Sequence, residues 1–426
     1  MVLTKSGYRT RLIDAEIDEL LRLFGAVCIE GPKWCGKTWT ALNHSNSFIS
    51  IADSSNGYQN RQMAKTDPLL IMDGDAPRLI DEWQDVPPIW DAVRNSVDDK
   101  GEKGAYILTG SATPNMNGIS HSGTGRICRT RMHTMSLFES GRSSGKISLH
   151  DLFSQPNFTI RTGDIDLRKL IDLTLHGGWP GTMDLSTQDS LKISDRYVDT
   201  MVKSDISFDG IERKADTMQK VLRSLARNES TVVSISSIRK DIEESEDDAI
   251  SYGTVDNYIE ALNRLFVTEW QPAFDPNMRS SVRVGKSPKK HLVDPSISAA
   301  VLKATPEKMI NDLNTFGFFF EALCEHDLRI YSQTFGGELY HYRDGDGREI
   351  DAVVELPDGR WGAFEIKLGV HQIDDAAESL LKMKSKIENQ PKGRPPTIMC
   401  VICGMISFAY RREDGVYVIP ITALKN

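Results

Sequence analysis

Apolar residues at Ile13, Ile17, Leu20, Leu21 and Phe24 recur at helical spacing and predict a helix over 12–24 with one buried face. The period then changes. Short apolar runs at 26–30, 48–51, 78–81 and 105–109 alternate with polar or helix-competent segments. That alternation predicts a parallel α/β sheet. Helical spacing returns at 218–228 and at 254–265. In the second, Thr254 is the expected N-cap, and Tyr258, Ile259, Leu262 and Leu265 share a face. A strand-like pattern after Phe266 and a basic segment, 278–291, complete a winged-helix-like module. From about 292 the order reads helix, three strands, helix, strand, with turn signals at 344–347 and 357–359. The stretch 397–410 reads as buried strand. Residues 116–126 are Gly/Ser-rich and 241–248 are acidic, both loop-like. Three parts are expected: 1–150, 151–291 and 292–426.

Composition narrows the class. A chain of 426 residues is long enough for two or three domains. Hydrophobics at 39% and charged residues at 26% exclude a chain disordered throughout. Lys+Arg total 51 against 60 Asp+Glu, a net charge of −9, so a wholly basic nucleic-acid coat is excluded. No apolar run reaches the roughly 18 residues of a membrane helix. No signal-peptide pattern opens the chain, and six cysteines are too sparse for a disulfide scaffold. The expectation is a soluble, cytoplasmic protein with no membrane partner.

Residues Gly31, Pro32, Lys33, Trp34, Cys35, Gly36, Lys37 and Thr38 fit G-x-x-x-x-G-K-[ST] between a predicted strand and a predicted helix. Glycines let backbone N–H groups curl around phosphate oxygens, and the helix start adds partial positive charge. Lys37 is expected to reach the β/γ-phosphates of ATP, and Thr38 to ligate Mg²⁺. Asp81 and Glu82 close the run at 78–81. Asp81 can hold Mg²⁺ through water, and Glu82 can polarise the attacking water. Thr109 and Ser111 end the next strand, and either is placed to sense the γ-phosphate.

With the segments 79–84 (LIDEWQ), 107–111 (ILTGS), 125–126 (GR) and 136–141 (SLFESG), the phosphate loop resembles that of a family of prokaryotic AAA-type ATPases. Members carry a C-terminal domain of unknown function with a restriction-endonuclease-like core. Segments 177–180 (GGWP), 197–201 (YVDTM) and 292–295 (LVDP) resemble later signatures of that family. The resemblance implies an AAA+ core with strand order 5-1-4-3-2. It also implies an arginine supplied near or across a subunit boundary, hence a homo-oligomer. Arg126 matches that position best; Arg129 and Arg131 are rivals. Arg223 and Arg227 are candidates for a second sensor.

Asp351, Glu365 and Lys367 form a second signal, which resembles the PD-(D/E)xK nuclease core. If 348–355 and 361–367 pair as a hairpin, Asp351 lies opposite Glu365, and Lys367 shares the Glu365 face. Two carboxylates on one face make a hard-cation site for Mg²⁺, and the ammonium can orient water. The resemblance adds Glu321, on the preceding helix, as a third acid. Cys400 and Cys403 read as buried strand cysteines rather than half a zinc site. Arg279, Arg283, Lys286, Lys289 and Lys290 read equally as a phosphate-gripping wing or as a solvated basic loop, and Asp256 and Glu260 on the helix before them argue against base readout.

The reading is therefore an ATPase coupled to a nuclease-like domain acting on or binding DNA or RNA. The alternative is an ATP-gated switch that binds a protein partner through a catalytically inactive nuclease-like platform.

Overall fold

The structure is a computed structural model describing residues 3–113, 121–206, 213–243, 250–390 and 393–426. Of the loops expected at 116–126 and 241–248, residues 116–120 and 244–248 lie outside the described residues.

Five strands form the first sheet: β1 (Ala26–Glu30), β2 (Ser47–Ser50), β3 (Arg78–Asp81), β4 (Tyr106–Gly110) and β5 (Ile127–Arg131). All pairs are parallel, in the order β2-β3-β4-β1-β5. This is the order that the resemblance implies. Parallel strands covered on both faces read as continuous apolar runs, which is why β1, β3 and β4 stand out in the sequence. Helices Asp14–Leu23 and Lys37–Asn43 pack on one face and Ile89–Lys100 on the other. The C-terminal ends of β1, β3 and β4 lie side by side. Each carries polar residues there, and that edge is where an open parallel sheet binds ligands.

Two short strands follow, β6 (Ile147–Ser148) and β7 (Thr159–Arg161). The helical middle then runs through Ala215–Arg227, Ile235–Glu243 and Tyr252–Arg264 into an antiparallel pair, β8 (Thr268–Gln271) and β9 (Lys289–Leu292). The N-cap expected at Thr254 lies three residues earlier. Ser251 caps the helix, accepting the Thr254 N–H at 3.0 Å.

The last part holds β10 (Glu338–Arg343), β11 (Glu349–Glu355), β12 (Trp361–Lys367), β13 (Ile398–Cys403), β14 (Phe408–Arg411), β15 (Tyr417–Ile419) and β16 (Leu424–Lys425). Its seven-stranded sheet runs β10-β11-β12-β13-β15-β14-β7. The stretch 397–410 is two strands, not one. At Gly404 a Cβ would sit 2.5 Å from Leu170, and the chain turns there. The edge strand β7 comes from before the helical middle, and β6 pairs with β16. Residues 147–161 are thus woven into the C-terminal part, across the boundary expected near 150.

Asp294, only 1% exposed, caps helix Pro295–Val301 and joins all three parts. It accepts from Thr134 Oγ1 (2.6 Å), Gly178 N (2.9 Å), Ser296 N (2.9 Å) and Ser296 Oγ (2.6 Å). Asp294→Ala strands these donors in the core. It is expected to cost about 3 kcal/mol, with Asp294→Asn costing less because one acceptor oxygen remains. Chemical denaturation of the two variants checks this; equal losses would contradict it.

Candidate functional site

The loop after β1 is shaped by sterics. A Cβ on Gly31 would meet Met132 O at 2.2 Å, and Gly36 sits at φ +105°, open to glycine but strained for other residues. Lys37 is buried beneath the loop. Its Nζ donates to Gly31 O (2.9 Å) and Pro32 O (2.8 Å). Thr38 Oγ1 donates to Asp81 Oδ1 at 2.8 Å, and Thr109 Oγ1 reaches the same oxygen at 2.6 Å. Burial pushes the Asp81 carboxyl above its ordinary value. Glu82 adopts a left-handed conformation (φ 58°), turning the chain just past β3. Its Oε2 accepts from Ser111 Oγ (2.9 Å) and from Gln84 Nε2.

The sequence leaves Thr109 and Ser111 equivalent, and the structure separates them. Thr109 is fully buried behind Asp81, whereas Ser111 lines the pocket beside Glu82. Thr38 and Asp81 offer a hydroxyl and a carboxylate, hard oxygen donors already adjacent, and so fit Mg²⁺.

The pocket above the loop has a volume of about 1160 Å³. Sequence reasoning missed two of its walls. One is the N-terminal segment with Tyr8, Arg9 and Arg11; the other is Pro180, Gly181 and Asp184. Arg9 pairs with Asp184 at 2.9 Å across the pocket. Arg11 is buried behind the loop, paired with Glu139 (2.9 Å) and donating to Cys35 O (3.0 Å) and His133 O (2.9 Å). Trp34 stacks on Trp179 with ring centroids 6.1 Å apart, and Lys33 pairs with Asp205 at 2.7 Å. The segments 136–141 and 177–180 were visible only as family-like signatures. Arg9 and Arg11 belong to no motif.

Arg126 lies at the N-terminal end of β5, where its backbone O accepts from Ala26 N, and its side chain pairs with Asp98. The loop leaves the opposite end of β1, a strand length of about 16 Å away. Arg129 pairs with Glu30 at 2.6 Å and covers the Trp90 ring. Arg131 donates to Phe266 O and Thr268 O. Arg227 pairs with Asp241 at 3.1 Å, and Arg223 is exposed. Among the described residues none of these five arginines lines the pocket.

The β11–β12 hairpin has the register the spacing demands. Ala352 faces Phe364 and Val353 faces Ala363, so Asp351 comes opposite Glu365. Lys367 Nζ lies 3.1 Å from Asp351 Oδ2 and 2.7 Å from Glu365 Oε2. Asp351 Oδ2 also accepts the Ile366 N–H at 2.7 Å. Burial, then the Asp351 charge, lifts the Glu365 carboxyl to about 7. Burial opposes the Asp351 charge, but the Lys367 and Lys289 ammoniums outweigh it and hold that carboxyl below its ordinary value.

Glu321 comes from the long helix Leu313–Gln333, as expected, but its Oε1 is occupied by Lys289 Nζ at 2.6 Å. The wing expectation fails for Arg283, Lys289 and Lys290, whereas Arg279 and Lys286 are exposed. Lys289 is 5% exposed, Arg283 makes a two-pronged bond to Glu355 (2.8 and 2.9 Å), Lys286 donates to Arg343 O, and Lys290 donates to Val233 O. Sequence shows that this segment is basic; it does not show that the acids it answers are internal. With two ammoniums among the carboxylates, Glu321, Asp351 and Glu365 as arranged do not fit a divalent cation. Among the described residues no three acids, histidines or cysteines converge as a metal cage.

Comparison with known proteins bears on each part of the chain. Residues 24–140 match the family model of an AAA domain, so this part is an AAA-type P-loop domain. Residues 167–308 and 316–424 match two domains of unknown function, DUF8612 and DUF4143. Uncharacterized proteins of Mycobacterium bovis and Mycobacterium tuberculosis are each 24% identical over 356 residues, covering 83% of this chain and 72% of theirs. A Walker-type ATPase of Pyrococcus abyssi aligns at 12% identity and TM-score 0.45, over 70% of this chain and 97% of that one. A RuvB structure from Thermotoga maritima aligns at 15% identity and TM-score 0.26, over 61% and 89%. Among the described residues no helix is long and apolar enough to cross a membrane.

His341, beside the second cluster, gives a pH dependence. Burial, then the Lys289 charge, pushes its imidazole down to about 4. Between about 4 and its ordinary value of 6.5, the folded chain binds fewer protons than the unfolded one. The contribution is therefore full above about 6.5 and is lost as pH falls toward 4, on the order of 3 kcal/mol. His341→Gln is expected to lose less stability than the parent between pH 7 and pH 4.5 in denaturant titrations. Parallel profiles would contradict it.

Proposed function

We propose that this chain binds ATP with Mg²⁺ at residues 31–38 and hydrolyses it, with Glu82 as the catalytic acid–base. The observation carrying this reading is the Thr38–Asp81 bond beside a Glu82 carboxylate that Ser111 aims into the pocket. Lys37 leaves two neutral carbonyls for phosphate oxygens, which bind an ammonium more strongly because they are charged. Thr38 and Asp81 would hold Mg²⁺, which would neutralise phosphate charge when bound. Glu82 orients the attacking water and takes its proton, while Ser111 positions Glu82 and meets the γ-phosphate. Arg126, at the far end of its own sheet, serves a neighbouring copy rather than its own loop.

The nucleotide cycle acts on the C-terminal part, which we read as a nuclease-like core that acts on or binds DNA or RNA. Its support is the convergence of Asp351, Glu365 and Lys367. The second reading, an inactive platform for a protein partner, is favoured by Lys289 between the carboxylates.

Mg²⁺-dependent ATPase assays with linear and branched DNA and RNA test this. Lys37→Ala is expected to abolish nucleotide binding. Glu82→Gln is expected to keep binding and to lower turnover by about 10²-fold or more. Full turnover in Glu82→Gln would remove Glu82 from its role. Cleavage of nucleic acid by purified protein, unchanged in Asp351→Ala, would remove the nuclease part.

A further inference from the structure

The three N–H donors of the Lys289 ammonium are all used. Nζ lies 2.6 Å from Glu321 Oε1, 3.0 Å from Glu325 Oε1 and 3.0 Å from the backbone oxygen of Asp351. Two carboxylates and a carbonyl are the hard oxygen donors that a divalent cation takes. Here one side chain of the chain itself fills them.

The placement is built rather than incidental. Lys289 belongs to β9, paired to β8 in a register that sets Gln271 against Lys289 and Glu269 against His291. Period-2 alternation therefore puts Glu269, Gln271, Lys289 and His291 on one face. All four are buried, and His291 Nε2 bonds Gln271 Oε1 at 2.9 Å. Glu269 is anchored to His133 at 2.6 Å and to Arg329 at 3.0 Å. His133 lies two residues past β5. The strand carrying Lys289 is thus registered against the nucleotide-binding sheet at one end and inserted among the acids at the other.

We propose that Lys289 is an internal counter-ion that closes the Glu321 side of the Glu321/Asp351/Glu365 site to divalent cations, opposite Lys367 on its Glu365 side: an autoinhibitory contact made by the β8–β9 pair. This rests on the nuclease-like reading of the C-terminal core. While β9 is in place, the acids are neutralised from within and the site takes no metal.

The test is Mn²⁺ uptake by the nucleotide-free full chain, read from loss of the free-ion electron paramagnetic resonance signal. The parent chain is expected to take up no ion that Asp351→Asn removes, and Lys289→Arg is expected to match the parent. Lys289→Met is expected to gain one Asp351-dependent ion, bound at least tenfold more tightly than by the parent. Lys289→Met leaves acids unpaired in the interior, so Lys289→Met with Glu325→Gln is measured beside it. That variant removes one surplus charge and keeps Glu321, Asp351 and Glu365. An Asp351-dependent ion already bound by the parent overturns the closure and leaves the nuclease-like reading standing. A double variant with parent-like circular dichroism that binds no ion overturns both. Loss of the folded dichroism in both Lys289→Met and its double variant with Glu325→Gln also overturns the proposal, because Lys289 is then a structural counter-ion that the fold cannot release.

Discussion

A charge with no access to water has to be answered from inside the protein. Asp294 is answered from three directions: Thr134 from the segment after β5, Gly178 from the helical middle, and Ser296 from its own helix. Each bond is short, and none can be kept if one part rotates away from the others. The wall of the nucleotide pocket formed by Pro180, Gly181 and Asp184 hangs from this same junction, a few residues past Gly178. The relation between the phosphate loop and the rest of the chain therefore follows from one buried carboxylate. Trp179 extends the junction, donating from its indole to Ser296 and packing against Trp34 and Tyr197.

The two polar sites share a device and differ in its strength. In each, an ammonium is satisfied by oxygens of the chain itself. Lys37 is held by two neutral carbonyls, which a phosphate outcompetes. Lys289 is held by two carboxylates in surroundings that exclude water, where attraction is stronger than at the surface. The Lys37 arrangement is one that an arriving ligand exchanges easily. The Lys289 arrangement resists exchange and changes only if the strand carrying it moves.

Much of this was legible in the sequence where local rules act alone. The central strands are short apolar runs ending in polar residues because both faces are covered. The Asp351–Glu365 pairing was legible because the turn at 357–359 leaves one register, in which Leu356 N bonds Arg360 O. What was not legible depends on partners far along the chain. β7 is three residues of mixed exposure with no periodicity to read. The basic segment 278–291 has the composition of a phosphate-binding wing, yet Arg283 and Lys289 turn inward to Glu355 and Glu321. Arg9 and Arg11 form part of the pocket only because the fold brings the N-terminal segment under the loop. Ser251 displaced Thr254 as a cap because the donor the cap needs is Thr254's own N–H.

The interleaving of β6 and β7 with β16 and β14 has a consequence for how the chain is made. Residues 147–161 leave the ribosome roughly 250 residues before their partners. At roughly 5–20 residues per second, that is a wait on the order of 10–50 s. During that wait β7 has no sheet to join, and β14 later emerges as a bare edge until β7 docks. Unpaired edges are where chains join their neighbours by mistake. The first sheet can close as soon as β5 is made, because all five of its strands come from the first third of the chain. The nascent protein can therefore close its first sheet early, whereas the seven-stranded sheet is complete only once β14 has met β7, made roughly 250 residues before it.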